Sequence, residues 1–208
     1  MMTAAQAKDS DRGLLVVISG PSGVGKTTIV HALEQQLGGA FSVSATTRPK
    51  TSAEIHGRDY LFLDEDEFQT MIDRGEFLEY AQVFGKHWYG TPREPVERLL
   101  DEGQLVILDI DVQGAQQVKK SMPTAFSVFI LPPSEEELLR RLRARGRDDE
   151  QAIQRRFAEA KQEIHFARTS ACYDTFVVND RLNDAIEKVV QLVADRRAAH
   201  HGATHPRP

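Results

Sequence analysis

Leu14-Leu15-Val16-Val17-Ile18-Ser19-Gly20-Pro21-Ser22-Gly23-Val24-Gly25-Lys26-Thr27-Thr28 is the stretch on which the fold of this chain turns. Its first five residues are a continuous apolar run of strand length. The cluster from Ser19 to Gly23 then breaks any regular element. A helical pattern follows, with Ile29, Val30, Leu33 and Leu37 at helical spacing. From Gly20 to Thr27 the residues match G-x-x-x-x-G-K-[ST], a strand–loop–helix device for phosphate. The residue types are those the chemistry needs. Glycines let the backbone turn until successive N–H groups point inward at phosphate oxygens, and the helix adds its positive N-terminal end. Lys26 is expected to reach the terminal phosphates, and the Thr27 hydroxyl to sit on Mg²⁺. Gly20, Pro21, Ser22, Gly23, Val24, Gly25, Lys26, Thr27 and Thr28 are thus the expected site of a nucleoside triphosphate.

Outward from this loop, apolar strand-length runs alternate with helical patterns. The runs are 105–108, 125–131 (stopped by Pro132 and Pro133) and 175–178. Helices are expected at about 112–120, 134–144, 149–169 and 181–198, with Ser134 and Glu137 spaced as a capping box. Short apolar strands alternating with helices imply an α/β fold: a parallel sheet flanked by helices, covered on both faces. Residues 44–101 break the rhythm. They are polar and turn-rich and hold most of the aromatics, among them Tyr60, Phe62, Phe68, Phe77, Tyr80, Trp88 and Tyr89. A separate inserted lobe of short antiparallel strands with one or two helices is expected there.

Composition narrows the function. The 208 residues carry 26 Lys and Arg against 31 Asp and Glu, a formal charge of −5. That balance speaks against a general nucleic-acid or anionic-membrane binder, whose footprint is basic. Cys172 is the single cysteine, so no intramolecular disulfide framework exists. Mean hydropathy is −0.41, and no apolar run approaches the roughly 18 residues of a membrane span. Met1 to Arg12 is polar, without the apolar core of a secretory signal, and reads as a disordered leader; the expected compartment is the cytosol. His200, His201 and His205 lie beside Gly and Pro, with no acidic or Cys partners nearby, and read as a frayed tail rather than a metal site.

Further segments carry a family likeness. Ser19 to Thr28, Ser42-Val-Ser-Ala-Thr-Thr-Arg-Pro49, His56-Gly-Arg-Asp-Tyr60, Glu76-Phe-Leu-Glu79 and Tyr89-Gly-Thr91 resemble guanylate kinase. So do Leu108-Asp-Ile-Asp-Val-Gln-Gly114, Arg141-Leu-Arg-Ala-Arg-Gly146 and Val177-Val-Asn-Asp180. The likeness runs in order from about residue 14 to 195. It implies a P-loop core with two mobile lobes, one for GMP and one closing over ATP, and transfer of the γ-phosphoryl of ATP to GMP (and dGMP). The implied divisions are core at 13–43, 102–140 and 158–198, GMP lobe at 44–101, lid at 141–157 and a disordered tail at 199–208.

By position, the resemblance assigns Ser44, Arg48, Tyr60 and Tyr89 to the GMP phosphate, and Glu79 and Thr91 to guanine. Arg141, Arg145 and Arg156 would line the phosphoryl path, and Asn179 would lie near adenine. With Lys26 and Arg48, Arg145 and Arg156 are the expected catalytic groups. The chemistry fits. Guanine presents two adjacent donors, which an acceptor-only carboxylate can take together, whereas adenine would leave Glu79 unpaired. Arg145 and Arg156 would neutralise charge on the transferring group as arginine fingers do. Asp109 and Asp111 close a buried strand at the sheet's carboxyl edge; Asp111 is expected to face the site, and Asp109 to orient the water shell of Mg²⁺.

One position departs from the pattern. Where a second phosphate-binding arginine is usual, this chain has Thr51, with Lys50 beside it as a partial substitute and Ala53 for a usual glycine. Weaker GMP binding is the expectation, because Lys is a point charge and not a bidentate fork. Two other readings remain: a non-catalytic guanylate-kinase-like peptide-binding module, and a small kinase for another phosphorylated acceptor. The intact Lys26, Thr27 and Arg48 speak against the module, and Glu79 with Thr91 against the other kinase.

Overall fold

A computed structural model describes residues 12–83, 85–144 and 149–202. The central sheet has five parallel strands in the order β2-β7-β1-β8-β9. They are β1 (Leu15–Ser19), β2 (Ala40–Phe41), β7 (Val106–Asp109), β8 (Phe126–Leu131) and β9 (Thr175–Val178). All five residues of β1 are buried, as a strand covered on both faces requires. Its register sets Val16 between Ile107 and Phe126, and Ile18 between Asp109 and Val128.

Alternation divides the core in two, because successive side chains of a strand point to opposite faces. Val16 and Ile18 join Ile29, Val30 and Leu33 of α1 (Lys26–Leu37), and Val189 and Val193 of α7 (Leu182–Gly202). Leu15 and Val17 face the other way, onto Val96 and Leu100 of α3 (Arg93–Asp101) and Ala115 and Val118 of α4 (Val112–Ser121). Full burial of each such side chain contributes about 1.5–3 kcal/mol. Strand β2 was not legible in the sequence: it is two residues long and pairs at the sheet edge only with β7.

The inserted segment forms a second sheet in the order β4-β3-β6-β5. Its strands are β3 (Ala45–Thr46), β4 (Leu61–Phe62), β5 (Phe77–Val83) and β6 (His87–Pro92), antiparallel except for the β3–β4 pair. Helix α2 (Glu65–Asp73) packs on it through Phe68, which stacks on Phe77 at 4.5 Å between ring centroids. Helix α3 lies within 44–101 by sequence, yet its apolar face belongs to the central core.

Helices α5 (Glu135–Ala144) and α6 (Glu150–Thr169) pack through Leu138, Leu142, Ile153 and Ala160. The expected capping box at Ser134 is half formed. Its hydroxyl accepts from Glu137 N at 3.2 Å, but the Glu137 carboxylate turns to Arg140 and Arg141, because charged partners outcompete a backbone amide. The reciprocal box sits instead at Asp64 and Glu67, on α2. The C-terminal end also differs from expectation. Ala198 and Ala199 favour helix, and α7 carries His200 within it before ending at Gly202. At the other end Arg12 is ordered against Asp101 at 2.7 Å. Residues 1–11 and 203–208, including His205, lie outside the described residues.

Candidate active site

The loop between β1 and α1 forms one wall of a cavity of about 440 Å³. Gly20, Pro21, Ser22, Gly23, Gly25, Lys26, Thr27 and Thr28 line it, facing Asp109, Ile110, Asp111 and Glu163. The loop's shape depends on its glycines. Gly25 has φ +98°, and a Cβ there would stand 2.7 Å from Asn179 Nδ2. Gly20 has φ +150°, with Ile130 O only 2.5 Å from an added Cβ. Lys26 curls back so that its ammonium donates to Gly20 O at 2.5 Å. Val24, within the loop, is fully buried and belongs to the central core.

Asn179 is 3 % exposed and braces the loop, donating from Nδ2 to Val24 O at 2.7 Å. Arg141 is tied down beside it. Its Nη1 donates to Asn179 O, its Nη2 to Asp180 O and its Nε to Glu137. Arg156 is half-buried on α6, and neither it nor Arg141 lines the loop cavity. Arg145, like Arg147, falls outside the described residues. Arg140 and Arg143 pair with Glu137 and Glu150 on the surface, as a solvated helix face does.

Asp109 ends β7 inside the cavity wall, and burial raises its carboxyl above the usual range, opposed by Lys26 and His31. Asp111 caps α4, accepting from Gln113 N at 2.9 Å and Gly114 N at 2.8 Å. Thr27 and Asp109 thus offer hard oxygen donors to one cavity, which suits Mg²⁺, an ion that takes few protein ligands and keeps waters and phosphates for the rest. Among the described residues no His, Cys, Asp and Glu cluster forms an all-protein metal cage.

A buried carboxylate lies against α4. Glu79 is 7 % exposed and Thr91 1 %. They are paired across β5 and β6, and the Thr91 hydroxyl donates to Glu79 Oε1 at 2.6 Å. The other carboxylate oxygen rests against Gly114, where a Cβ would stand 2.9 Å from Oε2. Burial pushes the Glu79 carboxyl up to about 7; Thr91 pulls it down and Asp111 adds to the rise. Two features aim this residue. An irregularity in β5 between Phe77 and Glu79 lets Phe77, Leu78 and Glu79 all be buried, in three different surroundings. Gln117 of α4 then pairs with the open edge of β5, accepting from Tyr80 N and donating to Tyr80 O.

Arg48 lies at the far side of the lobe sheet. Its guanidinium sits 5.5 Å from the Tyr60 ring and 5.6 Å from the Phe62 ring. Tyr60 and Tyr89 meet edge to face at 6.0 Å, so Arg48, Tyr60 and Tyr89 gather in one place. Ser44 is half-buried at the start of the same sheet, its carbonyl taking Leu61 N. Arg48 is held by Glu54, a residue the sequence reading missed; the signal was a carboxylate six positions on, which no local periodicity reveals. Glu163 was missed as well. It stands on the charged helix α6, lines the loop cavity, and burial pushes it up to about 7.

A parallel α/β sheet, a phosphate loop at its carboxyl edge and a buried carboxylate in an adjoining lobe define a P-loop phosphotransferase. The family model for guanylate kinase matches residues 12–196. The guanylate kinase of Alkalilimnicola ehrlichii is 54 % identical over 170 residues, 81 % of each chain. That of Synechocystis sp. is 46 % identical over 192 residues, 92 % of this chain and 98 % of the relative. Among solved structures, the crystal structure of guanylate kinase from Anaplasma phagocytophilum is similar at a TM-score of 0.67 and 32 % identity, covering 89 % of this chain and 87 % of that one. The chain belongs to the guanylate kinase family. No helix among the described residues is long and apolar enough to cross a membrane.

Proposed function

We propose that the chain performs its family's reaction with the residues assembled above: the γ-phosphoryl of ATP passes to GMP, giving ADP and GDP. The observation that carries this is the buried Glu79 carboxylate with one oxygen taken by Thr91 and the other against Gly114. Such a group, far from water, demands donors, and the N1–H and 2-amino group of guanine are two adjacent ones. Asp111 links the subsites, lying in the wall of the loop cavity and close enough to Glu79 to raise its carboxyl.

In this reading the loop amides and Lys26 hold the triphosphate, and Arg48, Tyr60, Tyr89 and Ser44 hold the GMP phosphate. An oxygen of that phosphate attacks Pγ in line, the bond from Pγ to the β,γ-bridging oxygen breaks, and ADP leaves with the electron pair. No general base is needed, because the nucleophile is already an anion; positioning and charge neutralisation do the catalysis. Arg156, and Arg145 on the adjoining segment, supply cationic charge when the lid closes. Arg141 and Asn179 fix the loop's outer wall beside the adenosine. Thr27 and Asp109 would hold Mg²⁺ there, and the ion would supply positive charge against the phosphates.

A coupled ADP-release assay with GMP, dGMP, AMP, CMP and UMP tests the assignment. Turnover confined to GMP and dGMP is expected. Equal turnover of AMP overturns the role of Glu79, and no turnover with any overturns the catalytic reading.

A further inference from the structure

Thr51 stands where a second cation was expected, and the structure shows what it does instead. The Glu54 carboxylate accepts four hydrogen bonds. Two come from Arg48, Nη2 to Oε1 at 2.5 Å and Nη1 to Oε2 at 3.0 Å. Two come from Thr51, its amide at 2.9 Å and its hydroxyl at 2.8 Å, both to Oε2. Three of the four converge on Oε2, so that oxygen is fully occupied, and Oε1 is anchored by Arg48. The carboxyl is held down to about 2 by Arg48 and Thr51 and stays an anion throughout the working pH range.

The consequence falls on Arg48. A guanidinium has five N–H donors in a rigid fork. Glu54 takes one from each terminal nitrogen, and Pro49 O takes the other from Nη1 at 2.9 Å. The Tyr89 hydroxyl also reaches the guanidinium, and neither Glu54 nor Pro49 uses Nε–H or the second Nη2 hydrogen. Those two lie along one edge of the fork and match two oxygens of a phosphate. The Tyr60 and Phe62 rings lie within 6 Å and limit rotation of the guanidinium. The pair is only partly exposed, at 25 % and 21 % of the side-chain surface.

We propose that Glu54 is a positioning residue for the GMP phosphate: braced by Thr51, it holds Arg48 by one edge and leaves the Nε–Nη2 edge for the phosphate. The chain thereby replaces a second phosphate-binding cation with a device that lowers the ordering cost of the one it keeps. This rests on the reading of Arg48 as a phosphate ligand.

Guanosine, which has the base and no phosphate, separates this role from a general loosening of the lobe. The experiment measures KM for GMP and ATP, and the inhibition constant of guanosine, for Glu54→Gln, Thr51→Val, Arg48→Gln and the Arg48→Gln/Glu54→Gln pair. Glu54→Gln should raise KM for GMP about 10-fold or more, because hydrogen bonds between charged partners are the strong ones. KM for ATP and the guanosine constant should stay within about 2-fold, and kcat should fall less than KM rises. Thr51→Val, which keeps the amide and loses the hydroxyl, should raise KM for GMP about 3–5-fold. In the Arg48→Gln background, Glu54→Gln should add nothing. An unchanged or lowered KM in Glu54→Gln overturns the proposal, as does a guanosine constant that rises alongside. Should Glu54→Gln fail to fold, an unchanged KM in Thr51→Val overturns it alone. If Arg48→Gln weakens GMP no more than guanosine, the assignment of Arg48 itself has failed, a distinct result.

Discussion

In the proposed reaction two side chains carry most of the chemistry, and both are set by what surrounds them. Lys26 donates to Gly20 O, so its ammonium already hangs over the loop. Lys26→Met should lower kcat by about 10²–10³-fold or more, the usual loss of one fixed charge stabiliser, with an unchanged circular dichroism spectrum. Glu79 must be ionised to accept from guanine, yet burial holds it up to about 7. Guanine binding therefore has to drive out a proton below that pH. The guanosine inhibition constant should weaken by about tenfold per pH unit below about 7 and level off above it. Guanosine is the better probe, since the GMP phosphate titrates nearby, and Glu79→Gln should abolish the slope. Glu79 was singled out from its motif, but its shifted carboxyl was not legible. That shift comes from burial, with Asp111 adding to it and Thr91 opposing it, and all three depend on segments far apart in sequence.

Elements aim these residues. Edge strand β5 would face solvent on one side, but Gln117 of α4 takes both the N–H and the C=O of Tyr80 and docks it. The docking presses Glu79 onto Gly114, in the first turn of α4, whose first amides Asp111 already caps. Gly114→Ala puts a methyl 2.9 Å from Glu79 Oε2 and should raise KM for GMP several-fold while KM for ATP stays put. Steady-state kinetics with each nucleotide varied in turn reads the split. Strand and helix periodicity located β1, β7, β8 and β9 and helices α1, α4, α5, α6 and α7 to within a few residues at most places, but did not place α3. It failed for β2 and for the capping of α2. A two-residue strand has no period to read, and an Asp–Glu box looks like any exposed charged stretch until the chain turns.

For the molecule as a whole, proton linkage ties stability to the site. Glu79 and Glu163 are both held near 7 when folded, against about 4.5 in the unfolded chain. Between those values the native state binds more protons. The stability these two groups contribute is full below about 4.5 and is lost as pH rises through about 7. Glu163→Gln should therefore stabilise at pH 8 more than at pH 5. The difference should be about 1–2 kcal/mol after allowance for partial solvation, worth about 2–4 °C in Tm per kcal/mol. Thermal melts at the two pH values, without nucleotide, check it.

The amino-acid order alone determined the parallel α/β core, the phosphate loop and the residue types proposed to touch nucleotide. Each of these rests on short-range signals: period, glycine placement and a motif of eight positions. Only the tertiary structure decided that Asn179 braces the loop, that Glu163 faces Lys26, and that Thr51 serves Arg48 through Glu54. Their partners are brought close by the packing of separate elements or by the path of an irregular turn, and burial, which sets the charge of Glu79 and Glu163, exists only once the chain is folded.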